Sequence, residues 1–166
     1  MFDFPEYVYS DVRVEEVSNS NIVVTLGRTD NMKEQKYVAA FIRIFDGERW
    51  YFSSTTDLNS VQGEIYRLAD LAKKNPSIEA NQIVQKFQVN KGSFLRFEKS
   101  SDISTIPLKE KRDILSTYFP IVEESGLVRF WRGQYVDQRV VKSFFSSKGA
   151  DLKFDYQRVG FRMLYQ

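Results

Sequence analysis

The chain contains no histidine and no cysteine among its 166 residues. Without histidine it cannot build a Ser-His-Asp or Cys-His nucleophile system or a histidine zinc site, and it lacks the commonest general base. Without cysteine it has no disulfide framework and no thiol chemistry, which fits a cytoplasmic location. Carboxylates, lysine, tyrosine and serine remain, and we predict no catalytic, metal-binding or cofactor-binding residue in this chain.

A charge excess and a long apolar run are also missing. The 24 basic and 22 acidic residues nearly cancel, whereas nucleic-acid binding usually leaves a basic excess or a basic stripe. No apolar run approaches the roughly 18 residues of a membrane span, and no charged-then-apolar leader opens the chain. We therefore expect no nucleic-acid partner, no membrane partner and no signal peptide. A hydrophobic content of 42% with 15% aromatic residues indicates a globular, aromatic-rich core.

A β-hairpin is the clearest local signal. Two apolar runs, 41–45 and 50–52, flank Asp46-Gly47. Asp-Gly between such runs predicts a tight hairpin turn, because glycine accepts a positive φ. Both runs are apolar on both faces, so we expect these strands inside a sheet that is covered on both sides.

A helix is predicted directly after the hairpin, at about 57–74. Ser54 and Asp57 have the spacing of a capping box, and Asn75-Pro76 ends the pattern. Apolar residues recur at steps of three and four, which is typical of one buried helical stripe. They are Leu58, Val61, Ile65, Leu68 and Ala72.

The remaining segments predict strands and a second helix. Residues 7–17 and 22–26 have strand patterns, separated by a turn at 18–21 and followed by an exposed polar loop at 28–36. Pro107 can open a helix at about 107–124, which Pro120 bends or ends. Further extended segments are expected at 87–97, 127–136, 139–145 and 150–164, whereas 76–85 leaves a short helix and a loop both open. The predicted fold class is α+β, a largely antiparallel sheet with two principal helices at about 57–74 and 107–124.

Three groups of charged residues could be interpreted as sites. Asp46, Glu48 and Arg49 cluster at the hairpin tip, where turns select aspartate for local hydrogen bonding. Glu15-Glu16 are neighbours in a strand and point to opposite faces, so they cannot share a proton or a metal. Glu123-Glu124 end a helix, where adjacent carboxylates are usually solvated. We predict no catalysis at any of them.

Other features leave a binding interpretation open. Residues 53–56 could hold an anion at a helix start, although capping is the simpler interpretation. The segments 94–97 and 130–132 interleave aromatic residues with arginine, as single-strand binders do, but the near-neutral charge favours packing. The basic residues of the last third predict either a docking surface or a solvated face. They are Lys142, Lys148, Lys153, Arg158 and Arg162.

The order of these motifs resembles the N-terminal domain of the TldD/PmbA family. The match is carried by Asp46-Gly47, aromatic residues at 50 and 52, and Ser53-Ser54-Thr55 with Asp57-Leu58 before a helix. Residues 10–15 resemble the family's first strand, and residues 145–150 resemble its Asn/Ser-Ser-Glu-Gly turn. Two positions depart from the family pattern: Lys148 replaces a usual glutamate, and Ala39-Ala40 replaces an expected glycine.

The resemblance carries expectations about function. Family members are bacterial and archaeal metallopeptidases, also described as modulators of DNA gyrase. Their zinc ligands are a His-Glu-x-x-x-His helix and a later cysteine in a C-terminal domain, and none of these ligands exists in this chain. The resemblance therefore implies a single domain at 1–166 that guides unfolded peptides toward zinc held elsewhere. Its implied partners are its own C-terminal domain and a related subunit in a homodimer or heterodimer.

Four further hypotheses stay open. The chain could be a stand-alone, non-catalytic protein-interaction module, or a small enzyme based on carboxylates or lysine. The strand pattern at 159–165 runs to the last residue, which predicts continuation into a second domain. Residues 46–54 and 137–147 both end in aromatic-Ser-Ser, which leaves an internal duplication open.

Overall fold

The computed structural model describes residues 2–97 and 99–166. The strands of this part are β1 (Tyr9–Thr25), β2 (Arg28–Phe45), β3 (Trp50–Thr55), β4 (Lys91–Phe94), β5 (Trp131–Ser146) and β6 (Asp151–Tyr165). The α-helices are α1 (Val61–Leu71), α2 (Gln82–Lys86), α3 (Leu108–Ser116) and α4 (Phe119–Glu123). Short 3₁₀ turns lie at Leu58–Ser60, Ile78–Ala80, Lys99–Ser101 and Ile103–Thr105. The six strands form one sheet in the order β3-β2-β1-β5-β6-β4.

The predicted α+β class is confirmed, and the sheet is mostly antiparallel. The first helix starts as the Leu58–Ser60 turn and ends at Leu71, because Ala72 is already extended (ψ 147°). The next backbone N–H, that of Lys73, donates to Asp46 Oδ2 (3.4 Å). The second helix is broken into α3 and α4 at 117–118. Pro120 lies in the first turn of α4, where its missing N–H costs nothing.

Two connections predicted from composition are wrong. The predicted turn at 18–21 lies inside β1, and the predicted loop at 28–36 lies inside β2. The actual hairpin turn is Leu26-Gly27, and both residues have positive φ (48° and 78°), as the tightest hairpin turns require. Ser18 and Ser20 are buried, so tertiary packing overrides their local preference for turns.

Three further segments have bounds that differ from the prediction or were left open by it. Within 87–97 the strand is limited to β4, and it pairs parallel with residues 151–154 of β6. The predicted break at 137–138 is absent, because β5 runs through it. Residues 76–85, left open above, form the Ile78–Ala80 turn and most of α2.

The chain divides into two compact units. Unit 1 comprises residues up to Glu16, Tyr37–Leu95 and Val141–Phe154. In its main core, α1 packs against the first three strands. The fully buried residues of that core include Val12, Ile42, Ile44, Val61 and Ile65. A smaller cluster of Tyr9, Phe45, Ile78 and Val84 anchors α2 and the turn before it.

Unit 2 comprises Val17–Lys36, Arg96–Val140 and Asp155–Gln166. Its core joins α3 and α4 to β1 and β5. The residues that build it are Ile22, Val24, Leu115, Phe119, Val122, Trp131 and Tyr135. Phe119 packs on Trp131 with ring centroids 4.6 Å apart.

A fully buried ion pair lies within unit 2. Lys111 Nζ is 2.7 Å from Asp137 Oδ2, and the two side chains are 0% and 1% exposed. The Lys111 ammonium also donates to Ser20 Oγ (2.8 Å), and the Tyr135 hydroxyl donates to Asp137 Oδ2 (2.7 Å). Burial and this bond to the carboxylate raise the pKa of Tyr135 above its usual value. Buried charges are tolerated only when they are paired and hydrogen-bonded in this way.

We predict that Lys111→Met lowers the free energy of unfolding by about 3 to 5 kcal/mol, because it leaves the Asp137 carboxylate buried without its cation. Urea unfolding measures the effect. The matched control is Lys109→Met on the exposed side of α3, expected to change stability by less than about 0.5 kcal/mol. Adding Asp137→Leu to Lys111→Met should recover much of the loss, and equal losses in the single and double variants would contradict this interpretation.

Candidate peptide-binding edge

The outer strand of unit 1 presents an open backbone edge. β3 is the terminal strand of the sheet and pairs with β2 on one side. Asp46 N donates to Arg49 O (3.2 Å). Because hydrogen-bonded and non-bonded pairs alternate in an antiparallel ladder, Trp50, Phe52 and Ser54 direct their backbone groups away from β2.

The same alternate residues carry an aromatic row on the face opposite α1. Phe52 stacks on Phe41 and on Trp50, with centroid distances of 5.9 and 6.3 Å, and Trp50 stacks on Phe45 at 4.7 Å. Phe52 is 55% exposed. The prediction that both hairpin strands are covered on both sides is therefore wrong for β3, because this strand forms the edge of the sheet.

Two arginines lie over this aromatic row. The Arg13 guanidinium is 5.3 Å from the Phe41 ring centroid, and that of Arg43 is 4.9 Å from the centroid of Trp50. Each arrangement is a cation–π contact. The combined surface is called the aromatic edge below and comprises Arg13, Phe41, Arg43, Trp50 and Phe52.

A buried carboxylate fixes the inner end of the aromatic edge. Asp11 binds Arg43 through two hydrogen bonds, from Nε (2.9 Å) and Nη2 (2.7 Å), and accepts a third from the Tyr9 hydroxyl (3.0 Å). Burial, followed by the Asp11 charge, raises the pKa of Tyr9 above its usual value, so this phenol stays protonated. Tyr9 in turn stacks on Phe87 at 4.7 Å. A bidentate arginine–carboxylate pair is directional, so it holds Arg43 in place against Trp50.

On the other face, a polar contact ties β3 to α1. Ser53 Oγ donates to Glu64 Oε2 (2.5 Å), and Arg67 Nη2 donates to the same oxygen (2.7 Å). The hydrogen bond from Arg67, and next that from Ser53, lowers the pKa of Glu64 to about 2. This face of the strand is therefore covered. On the aromatic face, Trp50 packs against Phe87 (6.2 Å between centroids), whereas Phe52 is exposed.

The helix start is capped differently from the prediction. Asp57 accepts a hydrogen bond from Asn59 N (3.0 Å) and caps the Leu58–Ser60 turn, and Ser60 precedes α1 without a side-chain cap bond. Thr55 Oγ1 accepts from Asp57 N (3.0 Å). The predicted capping role of Ser54 is wrong, because Ser54 lies in β3 with its partner Phe41.

Asp46, at the hairpin tip, accepts hydrogen bonds from the backbone of its own turn. Asp46 Oδ1 accepts from Glu48 N (2.8 Å) and Arg49 N (2.7 Å), and Oδ2 accepts from the Tyr51 hydroxyl (3.0 Å). Burial acts to raise the pKa of Asp46, but these backbone and hydroxyl donors outweigh it and lower the pKa. Glu48 and Arg49 contribute backbone donors to this turn.

The other candidate carboxylates and aromatic segments are not brought together. Glu15 pairs with Arg13 (3.0 Å) and Lys142 (2.9 Å), whereas Glu16 is exposed. Glu123-Glu124 lie exposed at the end of α4. In the segments 94–97 and 130–132, Phe94 is exposed on β4, and Trp131 belongs to the core of unit 2.

The five basic residues of the last third fall into different units. Lys142 pairs with Glu15, and Lys153 is exposed on β6. Lys148, which departs from the family pattern, donates to the carbonyl oxygens of Val84 (2.7 Å) and Phe87 (2.6 Å) and so caps the end of α2. Arg158 and Arg162 lie on β6 in unit 2.

The second departure from the family pattern has little structural consequence. Ala39 and Ala40 lie within β2, and Ala40 is buried in the main core of unit 1. An alanine packs there in extended backbone, so this position requires no positive φ.

Among residues 2–97 and 99–166, no three acidic side chains lie close enough to hold a metal ion.

Within the same residues, no helix has the length and apolarity needed to cross a membrane.

This chain is similar to known proteins in sequence over part of its length and in fold over nearly all of it. Residues 10–75 match the family model for PmbA/TldA metallopeptidase domain 1. A Thermotoga maritima protein described as a modulator of a DNA gyrase matches with 13% identity and a TM-score of 0.61, over 95% of this chain and 39% of that chain. A Bacteroides thetaiotaomicron protein of the same description matches with 12% identity and a TM-score of 0.67, over 93% and 36%. TldE from Thermococcus kodakarensis matches with 11% identity and a TM-score of 0.60, over 99% and 37%.

The fold is thus that of the first domain of a PmbA/TldD-type protein. Residues 10–75 match the first domain of the TldD/PmbA family by sequence, and the three solved proteins share the fold over 93% to 99% of this chain, which confirms the resemblance. It spans less than two fifths of the length of each of these solved proteins. A comparison with curated proteins found no match.

Sequence reasoning missed the aromatic edge as a candidate site. Phe41, Arg43 and Phe45 alternate along one strand, and Trp50 and Phe52 along the next. A period of two places each set on a single face. Counting the register outward from the Asp46-Gly47 turn would have shown that both sets share that face.

We predict that the Glu64 contact stabilises the protein at neutral pH and not in acid. The folded pKa of Glu64 is lowered from 4.5 to about 2, so its contribution is present above the unfolded pKa and is lost as pH falls through the folded value. Glu64→Gln should therefore be less stable than wild type at neutral pH. In urea unfolding, the difference in the free energy of unfolding should shrink as pH falls from about 5 to about 2. Glu110→Gln, an exposed change on α3, is the control, and a deficit independent of pH would contradict the prediction.

Proposed function

We propose that this chain is the N-terminal structural and substrate-guiding domain of a TldD/PmbA-type zinc metallopeptidase that acts on unfolded peptides. The observation that carries the proposal is the aromatic edge, in which the open backbone of β3 lies beside a row of aromatic rings with Phe52 exposed. The family match supports the peptidase context.

An open strand edge suits a substrate of variable sequence. An extended peptide can add to β3 as a further strand and bond to the outward backbone groups of Trp50, Phe52 and Ser54. These bonds use only the peptide main chain, so they do not select a sequence. Folded proteins keep their main chain in internal hydrogen bonds, so this mode of binding favours unfolded substrates.

The aromatic row adds affinity for apolar side chains of the peptide. Alternate side chains of an added strand lie on the open face, beside Phe52 and Trp50. Asp11 fixes Arg43 by two hydrogen bonds. The aromatic rings, which make no such bonds, can contact apolar side chains of different shapes. The opposite face of β3 is covered by α1, so the aromatic row is presented on one face of the strand.

Zinc and the catalytic groups belong, in this proposal, to a C-terminal domain of the parent protein. The parent's zinc ligands would be the family's His-Glu-x-x-x-His helix and a later cysteine, and that domain supplies the hydrolytic chemistry. This chain contributes binding and orientation of the peptide. The proposed partners are therefore its own C-terminal domain, a related subunit in a homodimer or heterodimer, and the unfolded peptide.

We predict that Phe52→Ser in the parent protein raises KM for an unfolded peptide by about fivefold to tenfold, because one aromatic contact is lost. The value of kcat should stay within about twofold, because Phe52 binds the substrate and takes no part in chemistry. Steady-state hydrolysis of oxidised insulin B chain measures both constants. Phe94→Ser, which removes an equally exposed ring on β4, is the matched control.

Two outcomes would contradict this proposal. An unchanged KM in Phe52→Ser would exclude the aromatic edge as the substrate-guiding surface. Peptide binding by this chain, together with a parent protein that hydrolyses nothing when loaded with zinc, would favour the stand-alone interaction module instead.

A further inference from the structure

A second open edge lies in unit 2, on β6. β4 pairs with β6 only from Asp151 to Phe154, so it does not cover the later residues of that strand. Phe130 and Gln166 exchange two backbone hydrogen bonds, of 2.8 and 3.2 Å. By the alternation of an antiparallel ladder, the backbone groups of Val159, Phe161 and Met163 point away from β5.

The two faces of this edge differ in chemistry. On the side of α3 and α4, Val159 and Phe161 are 50% and 46% exposed, and Phe161 lies 5.8 Å from Tyr118 and 5.3 Å from Tyr135 between ring centroids. On the other side, β6 carries Arg158 and Arg162, four residues apart. At about 3.3 Å per residue, their Cα atoms are about 13 Å apart.

The arginine side is an open, cationic surface. Arg162 and Arg132 border a cleft of about 230 Å³ with the Gln134 amide. Arg158 lies 5.1 Å from the Tyr156 ring centroid and lines a second cleft, of about 490 Å³, with Gln138 and Asp137. The Asp137 carboxylate is buried and paired with Lys111.

The strand pattern places no carboxylate on this side within residues 132–138 of β5 or 156–164 of β6. Across the sheet on β2, Asp30 accepts from Thr25 and Glu34 pairs with Lys36 (3.1 Å).

We propose that the β6 edge, residues 158–165, binds one extended segment of a partner protein in which acidic and apolar residues alternate. The segment adds as a strand beside β6. Its apolar side chains lie against Val159 and Phe161, and its carboxylates pair with Arg158 and Arg162. Arginine forms bidentate bonds with carboxylates, and opposite charges favour cross-strand pairing.

The chemistry of this face favours an acidic peptide over nucleic acid. Proteins that hold single strands on a sheet stack the bases on aromatic side chains. The arginine side presents Val136 and Leu164 with amides. Its aromatic ring, Tyr156, is half-buried and lies against the Arg158 guanidinium, and Phe161 lies on the opposite face. Within residues 158–165, carboxylates therefore meet two exposed guanidinium groups on this face, whereas bases meet no exposed aromatic ring on it.

Fluorescence anisotropy with a labelled octapeptide that alternates glutamate and valine tests the proposal on the full chain. The double change Arg158→Ser with Arg162→Ser should weaken binding roughly tenfold, since two exposed ion pairs are lost. The double change Lys109→Ser with Arg129→Ser removes the same charge elsewhere in unit 2 and should leave the Kd unchanged. Phe52→Ser should also leave it unchanged, which separates this site from the aromatic edge.

Further binding measurements use the wild-type protein and altered peptides. N-methylation of the peptide amides that face β6 should abolish binding, because backbone pairing is lost, and a lysine–valine peptide should not bind. Equal weakening by both double changes, or full binding of the N-methylated peptide, would overturn the proposal. Tighter binding of oligothymidylate than of the acidic peptide, lost in Arg158→Ser with Arg162→Ser, would assign the surface to nucleic acid instead.

Discussion

Each unit is organised around a buried aspartate that is bonded to a cation and to a tyrosine hydroxyl two residues earlier. In unit 1 the set is Asp11, Arg43 and Tyr9, and in unit 2 it is Asp137, Lys111 and Tyr135. A buried carboxylate without its cation is strongly unfavourable. The pairing therefore fixes which strand or helix must lie beside the aspartate, and the hydrophobic cores pack around that choice.

The candidate site depends on the same interaction. In unit 1 the cation of the set is also the residue that lies over Trp50, so Asp11 positions part of the aromatic edge from beneath. The edge thus has a rigid inner end and an exposed outer end at Phe52. In the proposed function, a rigid surface loses little entropy when a peptide binds, and an open strand backbone would suit peptides of different sequence. Asp11 thus contributes both to the stability of unit 1 and to the placement of Arg43 in the aromatic edge.

Local signals in the sequence predicted the parts of the fold that local physics decides. The Asp46-Gly47 hairpin and the two principal helices depend on turn chemistry and on a helical period, and all three are present. Composition failed at 18–21 and 28–36, because long strands there are held by neighbouring strands and by the Lys111–Ser20 bond. The aromatic edge was not predicted, since its openness depends on which face α1 covers. The repeated Tyr-x-Asp at 9–11 and 135–137 was visible in the sequence, but only three-dimensional contacts show that both carboxylates are buried and paired.

The most direct test of the substrate-guiding role is amide hydrogen exchange, measured by NMR, on the chain with and without an unfolded peptide. If the peptide adds as a strand to β3, the amides of Trp50, Phe52 and Ser54 should exchange at least about tenfold more slowly when the peptide is bound. The amides of Tyr51 and Ser53, which bond to β2, should change little. Protection elsewhere with no change at these three outward amides would contradict the central claim that the open edge of β3 receives the peptide.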